Sequence, residues 1–305
     1  MTASAAYGRL LGSLSGSVKA GEALSRHTSY RIGGPAALFV ECATLADLHT
    51  ATSVLAEEDV EWTVLGKGSN VLVSDDGYDG AIVTLGRDFK RHVLDGDHLR
   101  TGAAVILAAV VQDAFKMGLS GLEFGVGIPG TVGGALAMNA GSRDSWIGSI
   151  VESVTLFSAA DGLLRVRGSE VAWGYRRSDL AARGIIVECV LRVTESDEVD
   201  IRRAMEASLR RRKRSQPLGL PSAGSIFVNP EGDSAGRLIE AAGLKGARVG
   251  GAQISDVHAN FIVNTGGATA SDVVALIRMA REVVKDSNGI ELRPEIRFLG
   301  TFLES

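Results

Sequence analysis

Two short segments in the C-terminal third hold residue types that can do chemistry. In AGSIFVN, Ser225 follows a glycine and begins an apolar run, and about seventy residues later Glu295 stands between Arg293 and Arg297 in LRPEIR. A serine without a neighbouring base is a poor nucleophile, but its hydroxyl can deliver a proton in a water-excluded site. If this second segment is a strand, the three charged side chains share one face and can hold an anion. The alternative for Ser225 is a hydrogen-bonding role in a turn. The alternative for the three charged residues is a ladder of surface ion pairs.

A compact turn, GKGSN at 66–70, lies between two apolar strand-like segments. Successive backbone N–H groups in such a turn form a concave anion site, and Ser69 and Asn70 add side-chain donors, which suits a pyrophosphate. The spacing is too short for a P-loop, and a strand rather than a helix follows, so the turn is not a Rossmann fingerprint. A purely structural hairpin is the alternative.

The most glycine-rich stretch is GLEFGVGIPGTVGGALAMNAG, residues 121–141. Seven glycines in this stretch exceed what a connecting loop needs, because clustered glycines usually let backbone approach a ligand closely. Gly133, Gly134 and Ala135 could begin a helix whose N–H groups face phosphate. The stretch is therefore predicted to contact a ligand.

Three further groups carry weaker signals. Arg176 in the turn WGYRRS is either a surface cation or an anion-binding group, and His258, before Ala-Asn, is more typical of packing than of catalysis. The basic run at 210–214 suits the C-terminal end of a helix, where cations are favoured by the helix dipole. It also lies next to a predicted domain boundary, where an anionic substrate would enter.

Composition excludes several classes of protein. The net charge of −4 leaves no broad basic surface, so nucleic-acid binding is not expected. Cys42 and Cys189 stand alone in apolar segments, which predicts buried reduced thiols and no metal site. The longest uncharged apolar run, 103–111, is too short for a membrane span, and no signal peptide is evident, so the expected location is the cytoplasm.

Periodicity and turn residues predict a mixed α and β chain of two or three domains, with a boundary in the loop 216–224. The predicted strands are 37–41, 62–65, 71–73, 81–85, 92–100, 151–157, 163–166, 185–193, 225–229, 259–264 and a final pair within 290–303. The predicted helices are one capped by Thr44, then 104–117, 199–214, 234–242 and 272–286, the last capped by Ser271.

Taken in order, these motifs resemble one family, the UDP-N-acetylenolpyruvoylglucosamine reductases. The segments that carry the resemblance are SYRIGGPA, VLGKGSNVLVSD, GLEFGVGIPGTVGGALAMNAG, GYRRS, QPLGLPSAGSIFVNP, AGRLIEAAGLKG, GGAQISDVHANFIVN and LRPEIRFLG. The chain looks like the shorter subtype, which lacks an inserted tyrosine-bearing loop. The resemblance implies an α+β fold, in which a two-subdomain FAD-binding part of the vanillyl-alcohol-oxidase (PCMH) type precedes a C-terminal α+β substrate domain. The implied boundaries are 1–85, 86–212 and 213–292, with the last strand, in 293–305, returning to the first part.

The resemblance also implies an activity. FAD, reduced by NADPH, would reduce the enolpyruvyl ether of UDP-N-acetylglucosamine enolpyruvate to UDP-N-acetylmuramate, a peptidoglycan precursor, in a monomeric enzyme. Arg176, Ser225 and Glu295 fall on the family's catalytic positions, with Ser225 as the proton donor. The implied FAD-binding residues are Gly66, Lys67, Gly68, Ser69, Asn70, Val71, Gly125, Gly127, Ile128, Pro129, Gly130, Thr131, Gly133, Gly134, Ala135, Asn139, Gly141 and Ile186. The implied substrate-binding residues are Tyr175, Arg212, Gln216, Asn229, His258, Asn260 and Arg297.

Two departures from the family pattern stand out. Val228 replaces a residue that is basic in many relatives, and Val257 replaces a commonly polar one. A lost cation near the diphosphate would weaken substrate binding unless Arg212, Lys213 or Arg297 compensates. Two other functions stay open: a different FAD oxidase or dehydrogenase, and a non-catalytic nucleotide-binding module.

Overall fold

The computed structural model describes residues 2–142 and 144–302. They form eight α-helices: α1 Thr2–Leu10, α2 Leu45–Glu57, α3 Leu107–Lys116, α4 Val132–Ala137, α5 Leu180–Arg183, α6 Glu198–Ser215, α7 Ala235–Ala241 and α8 Ala270–Asn288. The strands are β1 Ser17–Ala23, β2 Pro35–Cys42, β3 Trp62–Val64, β4 Val71–Val73, β5 Tyr78–Leu85, β6 His92–Asp95, β7 His98–Gly102, β8 Leu119–Ser120, β9 Val151–Ser158, β10 Gly162–Arg167, β11 Ile185–Arg192, β12 Thr194–Glu195, β13 Arg248–Val249, β14 Ala252–Ile254, β15 Ile262–Asn264 and β16 Arg297–Leu299. No helix in these ranges is long and apolar enough to span a bilayer.

The chain divides into two compact units. Unit 1 comprises the residues up to Ala20, Leu38–Lys67 and Gly80–Arg211, and unit 2 comprises Gly21–Ala37, Gly68–Asp79 and the residues from Arg212 on. The proposed domain boundaries at 85/86 and 212/213 follow the chain, whereas these units are assembled from separated segments. Only the change near residue 212 is common to both divisions.

Unit 1 contains the largest sheet, in the order β10-β9-β11-β7-β6. All its neighbouring strands are antiparallel, with Cys189 opposite Thr101 on one side and Val154 on the other. One face packs against α3 and α4 in a core that includes Leu99, Val110 and Leu136. Both cysteines are buried free thiols, as predicted, and burial raises the pKa of Cys42 to about 12.

A four-stranded sheet, β1-β2-β5-β3, packs against α1 and α2 around Leu38, Leu48 and Val83. Thr44 caps α2 as predicted, because its side chain accepts the Asp47 N–H at 3.0 Å and the Asp47 carboxylate bonds back to the Thr44 N–H. Burial opposes ionisation of Asp47. The N–H groups of Ser15, Ala43 and Gly16, together with the Thr44 hydroxyl, outweigh that effect and lower the pKa of Asp47.

Unit 2 contains the antiparallel sheet β13-β14-β15 and a parallel pair, β4 with β16, in which Leu72 lies opposite Phe298. Helices α7 and α8 cover a core to which Tyr30 and Leu72, early in the sequence, also contribute. The last strand, β16, pairs with β4. Its partner β4 is itself part of unit 2.

Several sequence-based boundaries were wrong. The predicted strand 92–100 is a hairpin, because Gly96 takes a left-handed φ of 62° between β6 and β7. Helix α8 is capped by Thr269 rather than Ser271, whose N–H and hydroxyl instead bind the Asp75 carboxylate at 2.9 and 2.7 Å. Residues 225–229 form no regular strand, and within the described residues 290–302 there is one strand of three residues rather than the predicted pair.

Candidate active site

Tyr175 and Arg176 form the tip of a tight turn in unit 1. The turn is closed by the Gly174 N–H donating to the Arg177 C=O at 3.0 Å and by the reverse bond at 3.3 Å. Arg176 takes a φ of 57°, a left-handed conformation that costs a non-glycine residue roughly 1–2 kcal/mol. Its Nη1 donates to the Gly141 C=O at 3.1 Å, and its Cζ lies 5.5 Å from the Tyr175 ring centroid. Backbone strain of this kind concentrates at functional sites.

Two polar side chains hold this turn in place. Asn139 is buried, its Nδ2 donates to the Gly174 C=O at 3.0 Å, and its Oδ1 accepts the Gly148 N–H at 3.1 Å. Ser178 donates from Oγ to the Leu136 C=O at 2.9 Å, near the C-terminal end of α4. The side chain of Asn139 therefore links the arginine turn to the backbone at Gly148, and its contact with FAD stays a prediction.

Two of the predicted FAD-binding segments meet in unit 1. The Thr131 Oγ1 accepts the Gly134 N–H at 3.2 Å and caps α4. A Cβ placed on Gly66, in the GKGSN turn, would lie 2.6 Å from the same oxygen. Gly127 takes a φ of 72° and is exposed, as are Gly66 and Gly134. Bare backbone at these positions gives a flat cofactor close access to N–H groups.

Other glycines of the 121–141 stretch have packing explanations. A Cβ on Gly125 would lie 2.8 Å from Val111 Cγ2, one on Gly133 would lie 3.0 Å from the Ala103 Cβ, and one on Gly141 would lie 2.4 Å from the Trp146 Cα. The structure thus gives a cause other than a ligand for three of the seven glycines. Ile186, another predicted FAD contact, is 8% exposed and packs in the core of unit 1. The remaining predicted FAD residues of unit 1 range from buried to exposed: Lys67, Ile128, Pro129, Gly130 and Ala135.

In unit 2, the segments of Ser225 and Glu295 are paired through their backbones. The Glu295 N–H donates to the Ile226 C=O at 2.7 Å, and the Val228 N–H donates to the Arg293 C=O at 2.9 Å. These bonds flank an antiparallel bridge between Phe227 and Pro294. Ser225 and Glu295 are both partly exposed. The two motifs, about seventy residues apart in sequence, therefore lie on adjoining extended segments.

Asn260 supports the serine segment from its other edge. Its Oδ1 accepts the Phe227 N–H at 2.9 Å, and its Nδ2 donates to the Phe227 C=O at 2.8 Å. Its backbone C=O accepts the Ile226 N–H at 2.8 Å. Only 3% of Asn260 is exposed, and both ends of its side-chain amide bond to Phe227, so the structure assigns it a supporting role while the substrate contact implied by the resemblance stays a prediction.

His258 lies beside this support. Its Nδ1 accepts the Asn260 N–H at 3.1 Å, so the neutral ring carries its proton on Nε2. Burial, followed by the charge of Lys245, lowers the pKa of His258. A Cβ on Gly236 of α7 would lie 2.6 Å from the His258 Cε1, so the ring packs directly on that helix. His258 is thus a half-buried neutral donor at Nε2.

The second half of the GKGSN turn belongs to unit 2. The Asn70 Nδ2 donates to the Glu295 C=O at 3.2 Å, and the Asn70 C=O accepts the Arg297 N–H at 2.9 Å. Gly68 takes a φ of 59° and is buried, so a Cβ there would lie 2.4 Å from the His27 C=O. Ser69 is partly exposed, and Val71 begins β4. The turn therefore contacts the backbone of the glutamate motif directly.

The other predicted substrate residues lie on or near the surface. Tyr175 is 60% exposed, and Asn229 and Arg297 are exposed. The Arg212 Nη1 lies 3.5 Å from the Gln216 Oε1. The Asn229 Oδ1 accepts the N–H of Ala235 at the start of α7 at 3.1 Å. Of the two family departures, Val257 is 50% exposed and Val228 is partly exposed.

Ser29 is a structural link that the sequence reasoning missed. Its N–H donates to the Gly68 C=O at 3.1 Å, and its Oγ donates to the Ser222 C=O at 2.7 Å. It therefore joins the GKGSN turn to the loop that leads to Ser225. The only local signal is its place in SYRIGG, because both partners lie far away in sequence.

Comparisons with known proteins identify the class and then the family. A model of an FAD-binding domain matches residues 36–167, which together with the sheet and glycine-rich loop of unit 1 defines a flavoprotein. A model described as the UDP-N-acetylenolpyruvoylglucosamine reductase C-terminal domain matches residues 216–299. The chain belongs to the UDP-N-acetylenolpyruvoylglucosamine reductase family.

Individual relatives agree with this assignment. The reductase of Heliobacterium modesticaldum is 45% identical over 281 residues, which cover 92% of this chain and 90% of that protein. That of Pelobacter propionicus is 46% identical over 290 residues, covering 93% and 96%. The crystal structure of the Thermus caldophilus reductase has a TM-score of 0.83 and 38% identity, covering 93% of this chain and 99% of that one.

Proposed function

We propose that this protein is an FAD enzyme that uses NADPH to reduce the enolpyruvyl ether of UDP-N-acetylglucosamine enolpyruvate, giving UDP-N-acetylmuramate for peptidoglycan synthesis. The observation that carries the proposal is the backbone pairing of the Ser225 segment with the Glu295 segment, within a chain that belongs to this family. This pairing supports the proposal because Ser225 and Glu295 then stand on adjoining segments and both are partly exposed.

The residues of unit 1 suit FAD. Gly66, Gly127 and Gly134 present exposed backbone without Cβ atoms, and the Thr131 hydroxyl fixes the first turn of α4. We assign these groups and the exposed Lys67 to the cofactor's pyrophosphate, which backbone N–H groups and a cation stabilise. When bound, FAD supplies the hydride that the terminal carbon of the enolpyruvyl group accepts.

The protein's own groups stabilise charge and move a proton. Hydride addition to the terminal carbon puts negative charge on the neighbouring carbon and its carboxylate. We assign Arg176 to that carboxylate, because a preorganised cation stabilises developing charge most effectively where water is excluded. We assign Glu295 to a hydrogen bond with the same group. Ser225 Oγ–H then protonates the carbon bearing the carboxylate, and the serine oxygen regains its proton from solvent.

The substrate contacts are also assigned by proposal. Tyr175, Arg212, Gln216, Asn229, His258 and Arg297 are the groups we assign to the UDP-sugar, and His258 would act as a neutral donor through Nε2. We further propose that the enzyme works in the cytoplasm as a monomer, and size-exclusion chromatography with light scattering tests the oligomeric state.

The test separates the two half-reactions by anaerobic stopped-flow absorbance near 450 nm. NADPH should bleach the flavin band, and UDP-N-acetylglucosamine enolpyruvate should restore it without oxygen. Ser225→Ala should keep bleaching at the wild-type rate and slow the return by about 10²–10⁴-fold, the usual contribution of a positioned proton donor. Ser222→Ala, three residues earlier in the same loop, is the matched control and should behave as wild type.

Three other outcomes would each contradict a different part of this proposal. Bleaching without return in the wild type would indicate an oxidoreductase with a different acceptor. If Ser225→Ala also lost bleaching by NADPH, the assignment of this serine as proton donor would be wrong. Protein that cannot be loaded with FAD would contradict the proposed function as a whole.

A further inference from the structure

The serine segment 225–228 is bonded to two neighbours, the backbone of 293–295 and Asn260, which contributes its backbone C=O and its side chain. On the side of 293–295, the Ile226 C=O and the Val228 N–H bond to Glu295 and Arg293. On the other side, the N–H and C=O of Phe227 point to a single side chain, the carboxamide of Asn260, at 2.9 and 2.8 Å. A carboxamide offers the same donor and acceptor pair as a peptide group. The Asn260 side chain thus makes the two hydrogen bonds that a neighbouring strand would otherwise make with Phe227.

The carboxamide clamp on Phe227 lies next to a backbone bond that fixes the peptide following Ser225. The Ile226 N–H donates to the Asn260 backbone C=O at 2.8 Å, while the Ile226 C=O accepts the Glu295 N–H at 2.7 Å. The peptide plane between Ser225 and Ile226 is therefore held by the Asn260 backbone, and the next plane is held by the Glu295 N–H and the Asn260 Oδ1. Gly224, on the other side of the serine, takes a left-handed φ of 80°, so the chain turns sharply as it enters this segment.

We propose that Asn260 is a positioning residue that sets the reach of Ser225 for proton delivery, in place of the direct substrate contact implied by the family resemblance. The inference rests on the proposed function, because it concerns the proton step of that reaction. Only 3% of Asn260 is exposed, so water does not compete for the hydrogen bonds of its amide. The geometry of the clamp is therefore rigid. A misplacement of about 1 Å at a reacting group can cost on the order of 10²-fold in rate.

Asn260→Asp gives a test that a general loss of stability would not reproduce. A neutral aspartic acid can still accept the Phe227 N–H and donate its O–H to the Phe227 C=O. An aspartate cannot donate, so it would repel that carbonyl. Burial and the facing carbonyl both favour the neutral form, so the clamp should be restored as the pH is lowered. The ionisable residues bonded to this segment are Arg293 and Glu295, and His258 is bonded to Asn260. All three are the same in the wild type, so comparison of variant and wild type at each pH cancels the effect of their titration.

The measurement is the rate of flavin reoxidation by UDP-N-acetylglucosamine enolpyruvate, divided by the rate of flavin reduction by NADPH, from pH 5.5 to 8.5. We expect this ratio to fall about 10- to 100-fold for Asn260→Asp at high pH and to approach the wild-type value at low pH. Asn260→Ala should show a low ratio at every pH. If the aspartate variant unfolds at high pH, a pH jump in the stopped-flow instrument from pH 5.5 measures the rate before unfolding.

Asn264→Asp is the matched control. Asn264 is another buried clamp of unit 2, whose Nδ2 donates to the Tyr30 C=O at 3.1 Å and whose Oδ1 accepts the Gly266 N–H at 2.9 Å. Its replacement should lower stability but leave the ratio of the two half-reactions unchanged. A wild-type ratio for Asn260→Asp, or the same fall in both variants, would overturn the inference while leaving the proposed function standing. Failure of the wild type to reoxidise would remove the proposed function and the inference together.

Discussion

The arginine turn of unit 1 and the serine segment of unit 2 both carry groups of the proposed reaction, but different backbone features hold them in place. Arg176 is on a closed turn with a left-handed φ of 57°, surrounded by glycines whose missing Cβ atoms permit close packing. Ser225 begins an extended segment whose N–H and C=O groups are met on both edges, by the backbone of 293–295 and by the amide of Asn260. The strained turn restricts the position of the Arg176 guanidinium, whereas the paired extended segment restricts the position of the Ser225 hydroxyl. Mutations should therefore damage the two regions differently.

Apart from the loss of the Ser225 hydroxyl, the largest expected effect comes from removing the cation of the strained turn. Arg176→Ala should slow flavin reoxidation by the enolpyruvyl substrate about 10²–10³-fold, the usual loss when one preorganised group that stabilises charge is removed. Flavin reduction by NADPH should be unchanged. Stopped-flow absorbance measures both rates.

The neighbouring Arg177 supplies the control for that prediction. Its side chain is exposed, so Arg177→Ala should leave reoxidation within about twofold of wild type. Equal slowing by the two variants would mean that general positive charge in the turn, rather than the position of Arg176, supports the reaction.

A smaller effect is expected from the support of the turn. Asn139→Ala removes the buried bonds to the Gly174 C=O and the Gly148 N–H and leaves both partners unsatisfied. We expect a loss of about 2–3 kcal/mol in the free energy of unfolding, together with slower flavin reoxidation. Urea denaturation followed by circular dichroism measures the first, and Asn288→Ala, at the exposed end of α8, is the control. An unchanged unfolding midpoint would show that the turn holds itself without Asn139.

The smallest effect concerns a carboxylate in unit 2. The N–H groups of Ala270 and Ser271 bind Asp75 at 2.7 and 2.9 Å at the start of α8. Burial opposes ionisation, but these bonds and that of the Ser271 hydroxyl outweigh it and lower the pKa of Asp75. A lowered pKa means that the stabilisation is complete above the unfolded value near 4 and is lost as pH falls through the folded value.

Asp75→Asn should therefore cost about 1 kcal/mol or less at pH 7, because the carboxylate is exposed, and the difference from wild type should shrink as the pH falls through the lowered pKa of Asp75. Asp76→Asn, one residue later and also exposed, is the control. Thermal unfolding at pH 7 and at low pH measures both variants. A difference that persists at low pH would mean that shape rather than charge at position 75 stabilises the helix.

The sequence predicted this molecule best where the signal is local. The Thr44 cap and the strands that became β9, β10 and β11 depend on neighbouring residues, and each motif that marks the family is a short run of residues. The hairpin at β6 and β7 was missed, although Gly96 follows an aspartate in a turn-like dipeptide, because the apolar pattern on both sides was read as one strand.

Features that depend on distant partners could not be predicted. Nothing in the sequence around Gly125 or Gly133 indicates that their space is filled by Val111 and Ala103 rather than by a ligand. The role of Asn260 is equally hidden, since its partner Phe227 is 33 residues away. Periodicity reports which face of an element is buried, but it does not report which side chain completes an irregular edge.

Unit 2 is assembled from segments that lie far apart in the sequence, and this constrains how the protein folds during synthesis. The hydroxyl of Tyr30 donates to the C=O of Ile262, 232 residues later, and Leu72 pairs with Phe298 across β4 and β16. At the usual speed of translation, Tyr30 leaves the ribosome roughly 10–50 s before its partner exists. During that interval Ile32 and Leu72, which belong to the same core as Tyr30, lack most of the residues they pack against. We therefore expect the nascent chain to bind a chaperone through these apolar residues. For the same reason, a fragment cut at residue 212 would carry two helices of unit 2 but lack these N-terminal contributions to its core.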